Sequence, residues 1–160
     1  MTIHTLLEEM RDTLSYLPAK DLNLVKNDYG YYGSFSIEGN TFLIRFYGEK
    51  GINPAKPKST LEALLLDYKN SFIIEFSLSK GDKEFFGNTG TGNVAKVFST
   101  VLHAIKEVIE KENSEAIMFK IPEEKNKQRL YKKFLLRAGE FISGYSGKRI
   151  IEKVYGIVKK

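Results

Sequence analysis

Cysteine is absent from the 160-residue chain, and histidine occurs only twice, at His4 and His103. Disulfides are excluded, and zinc sites or Cys–His catalysis have almost nothing to work with. No apolar run approaches the roughly 20 residues of a membrane-spanning helix, and the N-terminus lacks the basic-then-apolar pattern of a secretory signal. No internal repeat, low-complexity tract or Pro/Gly-rich linker divides the sequence. These absences predict a soluble cytoplasmic protein with a single domain, 1–160, no metal site and no membrane partner. Hydrophobic residues make up 42% of the chain and charged residues 28%, the balance of a globular protein rather than a disordered one. At this length roughly 70% of the unfolded surface can leave water, enough for one core.

The net charge of +5 is unevenly distributed. Residues 120–160 carry 12 Lys or Arg against 4 Asp or Glu, a net of +8. The first 119 residues carry 13 against 16, a net of −3. A positive C-terminal third can attract phosphate, on nucleic acid or on a phosphorylated cofactor. A solvated lysine-rich surface is the plainer reading.

Helical spacing of Leu6, Leu7, Met10 and Leu14, with Pro18 just beyond, predicts an N-terminal amphipathic helix. Tyr29 to Ile37 and Thr41 to Tyr47 are aromatic and β-branched, and Glu38-Gly39-Asn40 joins them as a hairpin. The segment 48–59 is a loop with two prolines, and Leu61 to Tyr68 is an ambiguous short apolar run. Phe72 to Leu78 alternates with Glu75 and Ser77 outward, and Lys80-Gly81-Asp82 turns into Lys83 to Phe86, a second antiparallel pair. From Asn93 onward, Val94, Val97, Phe98, Val101, Ile105, Val108 and Ile109 mark one face of a long helix. Ala116 to Ile121 reads as the next strand, parallel and right-handed across that helix. Lys125 to Ala138 reads as another helix, ended by Gly139. Strands at Phe141 to Tyr145 and Arg149 to Val158 follow, around Ser146-Gly147-Lys148. The fold class is α+β, a mixed and mostly antiparallel sheet with helices on both faces.

The strongest chemical signal is Gly87-Asn88-Thr89-Gly90-Thr91-Gly92-Asn93, between a strand and the long helix. Glycines let the backbone approach a ligand closely, and the first amides of the following helix are free to receive an anion such as phosphate. A turn serving only strand-to-helix geometry is the structural alternative. A Walker A loop is not met, because Asn93-Val94 stand where Lys-Ser/Thr is required. The dinucleotide pattern is met by Gly90, Gly92 and Ala95, but Phe119-Lys120-Ile121 offers no acidic residue and the upstream hairpins do not suit a parallel sheet.

The order strand, glycine turn, long helix, strand, helix, strand, strand resembles the GNAT family of acyl-CoA N-acyltransferases over roughly Phe72 to Tyr155. Its pyrophosphate loop reads Gln/Arg-x-x-Gly-x-Gly/Ala, where this chain has Gly87-x-x-Gly90-x-Gly92, the first position departing from the family. Leu130-Tyr131 is similar to the family's Leu-Tyr. Asn126 is its candidate cofactor-binding Asn, nearer the tyrosine than is usual, and the family's Gly-Phe is delayed to Gly139-x-Phe141. The resemblance implies a GNAT-like fold and acetyl-CoA as cofactor, bound by Gly87, Asn88, Thr89, Gly90, Thr91, Gly92, Asn93 and Asn126. It further implies direct attack of an amine on the thioester, with Tyr131 as proton donor and Glu75 or Glu84 as base. Packing for Tyr131 and an outward strand carboxylate for each Glu are the alternatives.

Gly90-Thr91-Gly92-Asn93, Val97-Phe98-Ser99-Thr100-Val101 and Arg129-Leu130-Tyr131 also resemble uncharacterised proteins of tailed bacteriophages. That resemblance implies action in a host cytoplasm and makes a non-catalytic role the second expectation: a module binding a host protein or nucleic acid through the basic C-terminal third. Ser99 and His103 share a helix face at i, i+4, with solvent exposure the expected state. Tyr29, Tyr31, Tyr32 and Phe35 could stack on bases, or simply pack.

Overall fold

The computed structural model describes residues 17–80, 93–120 and 125–160. Strands run over Asn23–Lys26 (β1), Gly30–Ile37 (β2), Asn40–Gly48 (β3), Phe72–Lys80 (β4), Ala116–Lys120 (β5), Tyr145–Ile151 (β6) and Val154–Lys159 (β7). Helices run over Thr60–Leu65 (α1), Asn93–Glu112 (α2) and Lys125–Phe141 (α3). The strands form one sheet in the order β1-β2-β3-β4-β5-β7-β6. Every neighbouring pair is antiparallel except β4 with β5. The expected N-terminal helix, the expected strand Lys83 to Phe86 and the Gly87–Gly92 segment lie outside the described residues.

The β2–β3 hairpin follows directly from its residues. Ile37 pairs with Asn40, and Glu38 and Gly39 between them have φ of 51° and 77°. Two successive positive φ angles are what a two-residue turn needs to match strand twist. Opposite each other on the strands, Phe35 and Phe42 stack with centroids 5.2 Å apart. On the N-terminal side a further strand, β1, pairs Val25 with Tyr32; its four residues, NLVK, are too short and polar to stand out in sequence. Tyr29 falls in the β1–β2 turn, where the Asn27 side chain accepts from the amides of Tyr29 and Gly30, each at 2.8 Å.

Alternation along the strands sends successive residues to opposite faces. On one face Phe42, Ile44, Phe46, Ile74, Ile117 and Phe119 meet Val97, Phe98, Val101 and Ile105 of α2 and Phe134, Leu135 and Ala138 of α3. On the other, Ile73, Ala116, Met118 and Val158 are buried with Ile52 and Leu65, and covered by Leu61 and Leu64. Helices therefore cover both faces. Each fully buried Phe, Leu or Ile contributes roughly 1.5–3 kcal/mol relative to exposure.

The ambiguous Leu61 to Tyr68 run resolves into α1 because Ser59 caps it, its Oγ accepting from the Glu62 amide at 3.1 Å. The pair Ser59-x-x-Glu62 is a readable start signal. The other corrections concern the C-terminal region. Gly139 does not end α3, which continues to Phe141; Gly144, with φ of 83°, provides the left-handed residue beyond it. Phe141 to Tyr145 is accordingly helix end and turn, with β6 starting only at Tyr145. Ser146-Gly147-Lys148 lies within β6, and the reversal sits at Glu152-Lys153, where Lys153 has φ of 65°. Gly147 is needed there for clearance: a Cβ would sit 2.5 Å from the Leu135 carbonyl oxygen, where α3 crosses the strand.

At the far end of α2, Glu112 accepts from the Tyr31 hydroxyl at 2.6 Å and from Lys26 Nζ at 3.0 Å. A carboxylate at a helix C-terminus opposes the dipole. These donors, Tyr31 first, nonetheless hold its pKa below the ordinary value. Tyr31 is pushed the other way, up to about 12, by burial first and then by Glu112. The neutral phenol is thus favoured by folding, a stabilisation complete below pH 10.0 and lost as pH rises through about 12. Unfolding free energy should fall over that window, and Tyr31→Phe should remove on the order of 2 kcal/mol of the fall. Urea titrations of both proteins on either side of the window measure it. An equally steep fall in the variant would show that Tyr31 is not its source.

Candidate functional site

The parallel β4–β5 pair is where the sheet opens. Register holds only at Phe72 with Ile117 and Ile73 with Met118. Beyond that point β4 stays paired to β3 as far as Lys80, and β5 stays paired to β7 as far as Lys120. The two halves of the sheet therefore share a base, while their C-terminal ends lose direct pairing. A cleft of about 260 Å³ lies between them, with Ile74, Glu75 and Phe76 on one wall and Phe119 and Lys120 on the other. Val101, Ile105, Tyr131 and Phe134 line it from the α2–α3 face, and Leu61 from the α1 face. Among the described residues, main-chain N–H and C=O groups on the facing edges of β4 and β5 have no ladder partner along this stretch, so they can receive an extended ligand.

Ligand clefts in open sheets form beyond the carboxyl ends of parallel strands, where the chain leaves in different directions. The same applies here. After β4 the chain passes through the glycine-rich segment to α2, and after β5 it enters α3, so both helices begin at the open end.

Tyr131 is the sequence-predicted residue that the structure places in the cleft wall. Its ring centroid lies 5.8 Å from Phe119, 6.3 Å from Phe98 and 6.4 Å from Phe76. Burial among these rings raises its pKa above the ordinary tyrosine value. Its phenol is therefore a held proton at neutral pH, suited to donation rather than to acting as a base. Packing and proton donation are compatible, since the same rings that bury it orient it.

Glu75 also reaches the cleft, at its rim. It is exposed and accepts from Arg45 Nη2 at 2.7 Å across the β3–β4 pair. Arg45 in turn lies 4.9 Å from the Tyr47 ring centroid. An exposed pair of this kind contributes about 0–1 kcal/mol to stability, and its effect here is to anchor Glu75 by a cation. Glu84 and the segment Gly87, Asn88, Thr89, Gly90, Thr91 and Gly92 lie outside the described residues. Asn93 is the first residue of α2 and Asn126 falls in the first turn of α3.

Ser99 and His103 do not form a solvent-facing pair. Ser99 is buried, and the half-buried His103 has Nδ1 2.8 Å from the Ser99 carbonyl oxygen, its ring centroid 4.7 Å from that of Phe141. The i, i+4 spacing is satisfied through the backbone. Tyr31 and Phe35 are core residues, while Tyr29 and Tyr32 are exposed.

Sequence reasoning missed Ile74, Phe76, Val101, Ile105, Phe119 and Phe134 as cleft residues because they read as core. Their periodicity is a core signal, and only the loss of pairing between β4 and β5 turns part of that core into a wall. Among the described residues no helix is long and apolar enough to cross a membrane. Comparison with protein-family models, with curated proteins and with solved structures finds no match in any of the three.

Proposed function

We propose that this chain is an acyl-CoA-binding, acetyltransferase-like domain of GNAT-like fold that transfers an acyl group to an amine. The observation that carries the reading is the cleft formed where the parallel pair opens, with Tyr131 in its wall and the glycine-rich segment running from one of its strands to α2. A thioester arm laid between β4 and β5 would meet main-chain groups that have no ladder partner among the described residues, as an added strand does. Apolar residues from both faces would exclude water from it. Phosphates at the open end would meet the amides of a helix N-terminus.

The residues also fit the chemistry. A free amine attacking the thioester carbon needs no protein nucleophile, consistent with a chain that has no cysteine. Tyr131 holds a proton at Oη for the sulfur that departs, while Glu75 stands at the rim where an incoming amine can lose one. Binding in the cleft contributes proximity, and main-chain donors stabilise developing negative charge on the carbonyl oxygen.

Calorimetric titration with acetyl-CoA tests the cofactor assignment. Micromolar affinity is the expected result, and absence of binding at millimolar ligand would overturn it. With an amine panel as acceptors and thiol release as the readout, Tyr131→Phe should lower turnover by about 100-fold or more and leave acetyl-CoA affinity unchanged. Unaltered turnover would return Tyr131 to a packing role alone.

A further inference from the structure

We infer that the α3–β6 margin of the molecule is a nucleic-acid-binding surface. The sequence concentrates positive charge after residue 119, and the fold brings much of that charge to one end. Strands β5 and β6 are both antiparallel to β7, hence parallel to each other, so their C-terminal ends lie on the same side. Lys120, Val154 and Ile151 occupy one row across the three strands, and Phe119, Tyr155 and Arg149 the next. Tyr131, against Phe119, sets the height of α3 at these same rows. Arg129, Lys132 and Lys133 flank it on the helix; Arg149 shares the α3 face with Gly147, while Lys148 and Lys120 lie on the opposite face of the same end of the sheet.

Lys120, Arg129, Lys132, Lys148 and Arg149 are exposed and Lys133 is half-buried. Among the described residues none of the six has a carboxylate within 4.0 Å. From 125 to 160 the acidic residues are Glu140 and Glu152, and Glu140 is engaged by Arg137 at 2.8 Å. Among the described residues these cations are therefore uncompensated by salt bridges. Elsewhere on the surface Arg45, Lys26, Lys106 and Lys111 each have a carboxylate partner.

The extent of the cluster points to a polymer. Strands β5 and β6 lie two strand spacings apart, about 10 Å, and the helix layer adds roughly another 10 Å. A single pyrophosphate is much smaller than this, whereas a nucleic-acid strand presents a charge about every 3.4 Å and would place several phosphates along it. Charges on an edge strand also discourage strand addition. That role explains Lys148 and Arg149 and leaves the three cations of α3 unexplained. Polyanion binding accounts for the α3 and β6 cations together, and Lys120, which also lines the cleft, is the residue it shares with the acyl-CoA reading.

The test is fluorescence anisotropy of labelled single-stranded and duplex oligonucleotides across a series of KCl concentrations. Affinity should fall steeply with salt, with a slope of roughly 0.9 logarithmic units per phosphate neutralised on duplex and about 0.7 on single strands. Lys148→Glu/Arg149→Glu should weaken binding at least about tenfold at low salt and reduce the duplex slope by about 1.8. Arg129→Glu/Lys132→Glu, on the helix, should act in the same direction. Lys56→Glu/Lys58→Glu, in the loop before α1, should have little effect, and circular dichroism checks that every variant folds. The inference is overturned by absence of binding, by salt-independent binding, or by charge-reversed variants that bind like the parent. Binding to vesicles of anionic lipid with none to either oligonucleotide would likewise overturn it, in favour of a membrane surface.

Discussion

Replacing Phe134 by alanine is expected to remove about 3–5 kcal/mol from the unfolding free energy, the largest stability effect of any substitution considered. Phe134 is 2% exposed. Its ring lies 5.1 Å from Phe98 of α2 and 6.1 Å from Phe119 of β5, centroid to centroid. It therefore ties α3 to both the other long helix and strand β5. Truncation removes the transfer free energy of the ring and leaves a cavity between rigid elements that cannot close fully. For a domain of this size the melting temperature should drop by roughly 6–20 °C. Thermal and urea unfolding measure the effect. A loss under about 1 kcal/mol would mean that the site collapses freely, and that the aromatic cluster is not the rigid backing of the cleft described above.

Valine at Gly92 is expected to have the largest functional effect, reducing acetyl-CoA affinity about 100-fold or more while the protein stays folded. Gly90 and Gly92 occupy the positions that the resembled loop pattern gives as Gly and as Gly or Ala, both too small to hinder a phosphate, immediately before α2 begins at Asn93. A branched side chain there restricts the backbone and blocks close approach of phosphate to the amides. Losing one or two charge-assisted hydrogen bonds of about 1.5–3 kcal/mol each gives an effect of this size. Calorimetric titration of Gly92→Val, with Gly90→Val as a second variant, reads it. If a folded variant binds acetyl-CoA as the parent does, the pyrophosphate assignment of the loop fails even if the cleft assignment survives.

Readability in the sequence followed the range of the interaction involved. The β2–β3 hairpin was legible because its turn is local: Glu38-Gly39 between two aromatic and β-branched runs allows few other conformations. Helix α2 was legible because a seven-residue apolar pattern at helical spacing has one way to be buried. Glycine proved ambiguous where its reason was not local. Gly139 looks like a helix stop and Gly147 like a turn, yet α3 runs on through Gly139 and Gly147 lies inside β6. At Gly147 the demand comes from the Leu135 carbonyl pressing on the strand, a contact between two elements that no window of sequence contains. His103 shows the same limit, since the buried state of Ser99 and the packing against Phe141 depend on where α3 lies.

The candidate site divides in the same way. The family resemblance singled out Tyr131, Glu75 and Glu84; Tyr131 and Glu75 line one cleft, and Glu84 lies outside the described residues. That the cleft exists depends on β4 and β5, about 40 residues apart in sequence, pairing at two positions and no further. By itself the sequence determined the local pieces: the hairpin turn, the amphipathic helices, the glycine-rich junction and the excess of positive charge after residue 119. Backbone sterics and periodic burial act within a few residues, so they can be read there. The tertiary structure alone decided strand order, the opening of the parallel pair, the apolar walls around Tyr131 and the gathering of the cations along α3 and β6. Each of these depends on which distant segments share a hydrogen-bond ladder, a choice made by packing the whole sheet at once.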